Sequence, residues 1–301
     1  MTITNHPSDG LYPELITLFR ATADHGSLRK EELIELCTVK GETARISAAL
    51  STWTELGLFS RDGDNIALDV RFQRKRRGSI EDMTNALPSI CRQLLLDLKH
   101  ALPMWPASGE RTDKGIGLSA DFVRGLAWML AQDIYTFPLN STSDEAERLE
   151  NHQVTPGKYI VLNDVRWHGL GFWARYTGFA AADRGYIDPT SAIRAELPTI
   201  FQGTQCLPAG AFLRELSSRI PVLDFGAYRT EVEGALNPAV WRRPPEGQLS
   251  TALSFALRRL QLDQTIGLNS AADAGESYAL SARDFRPWHH FSEVEFHGIS
   301  S

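Results

Sequence analysis

The sequence predicts a mainly α-helical protein with small β-wings, in which two winged helix-turn-helix modules are joined by a helical, aromatic-rich middle region. Two observations carry this. First, residues 42–69 read ETARISAALSTWTELGLFSRDGDNIALD. Ile46, Ala49, Leu50, Trp53 and Leu56 recur at helical steps and so share one face. Gly57 stops that helix, as a residue able to take a left-handed conformation does. The apolar pair Leu58-Phe59, the turn Asp62-Gly63-Asp64 and the run Ile66-Ala67-Leu68 then have the composition of a hairpin. Second, the same order of elements returns from Ile187 onward. Both copies carry Ala-Leu-Ser inside the third helix, at 49–51 and 252–254.

Residues 1–9 are polar and predict a loose start. A first helix is expected over 11–23, with Leu15, Ile16, Leu18 and Phe19 inward. Ser27 is an N-cap candidate for a second helix, which Glu31 and Glu32 open and which ends near Cys37. The third helix and its wing complete a first module at 1–78.

Gly78-Ser79 introduces a helix with Glu81 and Asp82 in its first turn, running to about 102. Pro88 inside it predicts a kink or a break. Residues 103–117, rich in Pro and Gly, read as a linker or long loop. Ser119 caps a helix over about 120–135, which Pro138 closes, and the acidic run 144–150 reads as a solvated helix face. The segment 167–176, WHGLGFWARY, is too rich in glycine and aromatics to fix its conformation, and its apolar content predicts burial. The middle region is placed at 79–186.

Asp188-Pro189 opens a helix to about 201, and a second is expected over 207–219. After an insert at 221–247, residues 248–262 bring Leu249, Leu253, Ala256, Leu257 and Leu260 onto one face. Residues 266–268 and 278–280, with a turn through 273–276, form the expected second wing. The second module is placed at 187–284 and a tail at 285–301, with one candidate strand at 292–296.

The 301 residues are 43% hydrophobic and 23% charged, with net charge −6 and pI about 5.8. This is an ordinary globular composition. An acidic chain restricts any anion-binding surface to a local patch. Cys37, Cys91 and Cys206 form no CxxC pair and no zinc spacing. Three scattered cysteines fit a reducing compartment. No secretory signal and no membrane span is read, so the cytoplasm is the expected location.

No phosphate loop, nucleophile elbow or HExxH is present. Gly169-x-Gly171 is followed by Phe172 and Trp173, whose bulk would bar a pyrophosphate. His289 and His290 are adjacent and would face opposite sides of a strand, which does not suit chelation. His168 reads as a structural histidine. No catalytic residue, metal or cofactor is expected, and the chain is read as a non-enzyme.

Nucleic acid is the ligand with a physical mechanism behind it. A winged helix places its third helix in the major groove and its wing on the backbone or minor groove. Arg45, Ser47, Ser51 and Thr52 fall off the apolar face of that helix. Directly after the wing comes RFQRKRR, in which Arg71, Arg74, Lys75, Arg76 and Arg77 could neutralise phosphates and release counterions. Arg258 and Arg259 on the second long helix, preceded by Arg242-Arg243, form a weaker counterpart, and pairing with nearby carboxylates is the competing reading of Arg258 and Arg259. Arg45 stands beside Glu42 and Glu55, a poor base-reading surface, so docking of protein is a competing use of the same face.

Six stretches then carry a resemblance: LYPELITLFRATADHGSLRKEELIELC, TARISAALSTWTELGLF, GYIDPTSAIRAELPTIF, LPAGAFLRELSSRIPVLDFG, LSTALSFALRRLQLDQTIGL and the closing FSEVEF. Together they resemble the DpdG-type proteins found with bacterial systems that insert 7-deazaguanine derivatives into DNA. The resemblance spans nearly the whole chain and rests on apolar patterning and scattered residues. It implies a subunit of a DNA modification and restriction (phage defence) system, working beside other subunits, and it supplies no catalytic residues. The expectation is a non-enzymatic DNA-binding or adaptor subunit whose partners are double-stranded DNA, other defence-system subunits and a second copy of itself. Alternatives are a scaffold that binds protein without touching DNA, and a transcriptional regulator.

Overall fold

The computed structural model describes residues 2–5, 11–38, 43–73, 78–107, 114–137, 142–160, 163–181, 186–270 and 276–298. The chain is mainly helical, with small antiparallel sheets of two or three strands.

The first unit contains α1 (Leu11–His25), β1 (Leu28–Arg29), α2 (Lys30–Cys37), α3 (Thr43–Glu55), β2 (Phe59–Asp62) and β3 (Asn65–Leu68). The strands lie in the order β1-β3-β2. Asp62 pairs with Asn65, so the hairpin turns on Gly63-Asp64 alone, and Gly63 has φ +58°, as the tight turns matching strand twist require. Gly57 (φ +79°) ends α3 as expected, with Leu58 N–H donating to Trp53 O at 2.9 Å and Gly57 N–H to Thr54 O at 3.0 Å. These are the two bonds of a Schellman ending. Ser27 is not the cap of α2. Leu28 and Arg29 are drawn into the sheet opposite Ile66 and Asn65, and α2 begins after them with Arg29 at the cap position.

The middle of the chain holds α4 (Ile80–Leu95), α5 (Leu98–Ala101), α6 (Ala120–Leu130), α7 (Ser143–Gln153) and α8 (Asp164–Tyr176). Ser79 and Asp82 form a reciprocal capping box on α4. The helix continues through Pro88, and the break falls instead at 96–97, where Asp97 accepts a bond from Lys99 N–H at 3.0 Å. Every residue of α6 is buried. The ambiguous aromatic segment is α8, capped by Asn163 and burying Trp167, Leu170 and Trp173. Trp173 meets Trp53 of the first unit at 5.4 Å between ring centres. In α7, Asp144, Glu145 and Glu147 are exposed. Glu150, by contrast, is buried and accepts Ile160 N–H at 2.6 Å.

The start of the chain is not loose at residues 2–4. Thr2, Ile3 and Thr4 are buried. Ile3 N–H donates to Leu118 O at 3.0 Å, and Thr4 binds Asp121 through its hydroxyl and amide. Gly169 of α8 admits this segment, because a Cβ there would lie 2.8 Å from Thr4 O.

The remainder forms α9 (Thr190–Phe201), β4 (Cys206–Pro208), α10 (Ala209–Arg219), α11 (Ala227–Glu233), α12 (Thr251–Leu262), β5 (Ile266–Asn269), β6 (Tyr278–Ser281), β7 (Pro287–Phe291) and β8 (Glu293–Phe296). The expected pairing of 266–268 with 278–280 does not form. β5 pairs with β8, and β6 pairs with β7. The three-stranded sheet has the order β4-β8-β5, which repeats β1-β3-β2 when β8 stands in the place of β3. The strand at 293–296, assigned by sequence to a tail, is the central strand of this sheet, and β6–β7 is a hairpin inserted in the chain between β5 and β8. The turn expected at 273–276 falls mostly outside the described residues.

One continuous apolar core joins these parts. Polar bonds cross it as well. Arg92 of α4 is buried and bonded to Glu196 of α9 at 2.9 Å, and Glu196 also faces Arg219 of α10 at 3.6 Å. Tyr228 of α11 donates to Leu96 O at 2.9 Å.

Candidate nucleic-acid interface

On α3 the sequence candidates divide. Ser51 and Arg45 are exposed, and Ser47 is half-buried. Thr52 is 7% exposed. It is no surface residue: α3 packs on α1, α2 and β2, and its buried positions extend beyond the apolar ones to Thr52. Arg45, the single cation of α3, has its Nε 3.0 Å from Glu14 Oε1 of α1.

Arg71 closes the first unit. It donates from Nε to Asp69 Oδ1 at 2.8 Å and from Nη2 to Gly57 O at 3.1 Å, and it lies over the Phe72 ring at 5.0 Å. Partial burial pushes the Asp69 carboxyl up, but the bonds and charge of Arg71 outweigh this and hold it below its usual value. Arg71 is thus partly spent on holding the end of the β2–β3 hairpin. Arg74, Lys75, Arg76 and Arg77 lie outside the described residues.

In the second copy, Arg259 binds Asp188 at the start of α9, as the carboxylate-pairing reading expects. Among the described residues, Arg258 pairs with no carboxylate. Its guanidinium lies over the Trp288 ring at 5.2 Å and donates to Gln261 Oε1 at 2.8 Å. Arg243 is 3.1 Å from Glu233, whereas Arg242 lies over the Phe285 ring at 5.8 Å. The structure therefore gathers Arg242, Arg258, Phe285 and Trp288 around the β6–β7 hairpin. Sequence reasoning passed over Arg283, Arg286 and Trp288. The run RDFRPW at 283–288, in which arginines alternate with aromatics, was the available signal.

His168 Nδ1 is 2.8 Å from Asp164 O within α8. Cys37 and Cys91 are buried and burial pushes both thiols up, while Cys206 is exposed. Among the described residues, no three His, Cys, Asp or Glu side chains are placed to hold a metal, and no helix is long and apolar enough to cross a membrane.

The DpdG-like family profile matches residues 1–274. The chain belongs to the DpdG-like family. This associates it with 7-deazaguanine DNA-modification systems and their other subunits. The matched stretch ends before β6. No curated protein and no solved structure matches the chain.

Proposed function

We propose that this DpdG-like protein is a non-enzymatic DNA-binding or adaptor subunit of a bacterial DNA modification and restriction system, acting in the cytoplasm. The observation that carries this reading is the repeated arrangement of three helices around a small sheet, β1-β3-β2 and then β4-β8-β5. We read both as winged helix-turn-helix modules, the second with a hairpin inserted in its wing. Such modules put cations and exposed polar groups against phosphates and groove edges. Family membership adds the DNA context.

The test is duplex DNA binding by fluorescence anisotropy across a salt series, for the full chain and for a variant with Arg74, Lys75, Arg76 and Arg77 changed to Ala. The expected result is micromolar or tighter binding that weakens with salt, with a shallower slope in the variant. No binding of the unaltered protein at low salt overturns the DNA-binding reading.

One observation favours a second reading, a scaffold that docks protein through α3. The one arginine of α3 is held by Glu14 and Thr52 is buried, which leaves little base-reading chemistry there.

A further inference from the structure

The β6–β7 hairpin carries a surface unlike the rest of this acidic chain. Its tip and outer strand present Arg283, Arg286, Trp288 and His290 to solvent. Trp288 is 44% exposed, a large area for an indole, although the Arg258 guanidinium lies over its ring. Two arginines reach this surface from elsewhere, Arg258 from α12 under Trp288 and Arg242 over Phe285. Among the described residues, Arg242, Arg258 and Arg286 have no carboxylate within ion-pair distance. The acidic group at the tip, Asp284, lies 3.8 Å from Arg283, and its amide donates to Asp133 Oδ2 at 3.1 Å.

Guanidinium groups left without counterions and interleaved with an exposed indole fit one class of ligand, a nucleic-acid strand. Arginine neutralises phosphate, and an aromatic ring stacks on a base or wedges into a base step. The first turn of α12 does not take part, because Thr251, Ala252, Leu253 and Ser254 are buried there, and the helix contributes through Arg258. We propose that the β6–β7 hairpin, with Arg242 and Arg258 beside it, is a DNA-contacting surface. Arg242, Arg258 and Arg286 take the phosphates and Trp288 takes a base. This rests on the DNA-binding reading above and places its contact in the second wing.

The experiment uses the full chain with labelled single-stranded and duplex DNA of the same sequence, read by anisotropy across a salt series. Three proteins join the unaltered one: Arg242→Ala with Arg258→Ala and Arg286→Ala; Trp288→Ala; and a charge-matched control, Lys99→Ala with Lys114→Ala and Arg148→Ala, in the middle of the chain. Circular dichroism melts establish that each is folded, and Trp288→Phe replaces Trp288→Ala if the latter is not. The arginine variant is expected to bind about tenfold or more weakly, with a salt slope lower by about 2 to 3, since each phosphate contact contributes about 0.9. The control is expected to bind as the unaltered protein does.

Loss of affinity in Trp288→Ala for single strands alone supports stacking on unpaired bases. Loss for both DNAs supports insertion at a base step. No loss for either overturns the role of Trp288. An arginine variant that binds like the unaltered protein, or a control that weakens equally, overturns the surface while leaving the DNA-binding reading intact. Absence of binding by the unaltered protein at low salt overturns both.

Discussion

At the scale of single residues, burial decides which polar groups hold this molecule together. Arg92 and Glu196 are both buried, so each depends on the other for its charge to be tolerated, and Glu196 also on Arg219. Removing one member of such a set leaves an uncompensated buried charge. Glu196→Ala is therefore expected to lower stability by about 3–5 kcal/mol, measured by urea denaturation. Tyr228 offers a pH-dependent test. Burial and the nearby carboxylates of Asp97 and Glu231 push its phenol from 10.0 up to about 12. The fold thus prefers the protonated ring, which donates to Leu96 O. The contribution is complete below pH 10 and is lost as pH rises toward about 12. Denaturation at alkaline pH should show this loss in the unaltered protein and a smaller one in Tyr228→Phe. Thr52 is likewise decided by burial: periodicity placed it outside the apolar stripe, yet it is buried.

At the scale of elements, close approach sets the constraints. Gly169 read from sequence only as part of a failed dinucleotide motif. In the structure it is where the chain start crosses α8. A methyl group there would meet backbone, which cannot turn aside as a flexible side chain can. Gly169→Ala is expected to lower stability by about 1–3 kcal/mol, read as a fall in melting temperature. Most helices were legible because their apolar spacing and caps are local, as with the Ser79–Asp82 box and the Gly57 ending. The start of α2 was not. Ser27 is a good local cap, but pairing of Leu28 with Ile66 is a tertiary choice that overrides it.

At the scale of the whole molecule, the C-terminal segment is structural. Deleting residues 285–301 removes β7 and β8, and with them the middle of the sheet β4-β8-β5. Both flanking strands would then expose unpaired backbone, and Val294 would leave the core. Truncation is expected to yield insoluble protein, or loss of hydrogen-exchange protection across α9, α10 and α12. A dispensable tail would show neither. The proposed hairpin surface belongs to this scale too, because Arg242 reaches Phe285, and Arg258 reaches Trp288, only when distant segments fold together.

Local pattern was enough to determine the helical class, the hairpin around Gly63, the helices at 43–55 and 251–262 and the family resemblance. Each depends on neighbours within a few residues or on the period of the apolar positions. Strand pairing in the sheet β4-β8-β5, the burial of the chain start, the helical state of 167–176 and the partners of Arg45, Arg258 and Arg259 were decided by tertiary structure. A strand of four residues carries no mark of its partner, and the stretch between β5 and β8 admits a hairpin whose first strand, β6, looks like the return strand itself. An arginine likewise does not encode whether a carboxylate, an indole or a phosphate will face it. Glu14 and Asp188 took Arg45 and Arg259, whereas folding left Arg242 and Arg258 on aromatic rings at the surface.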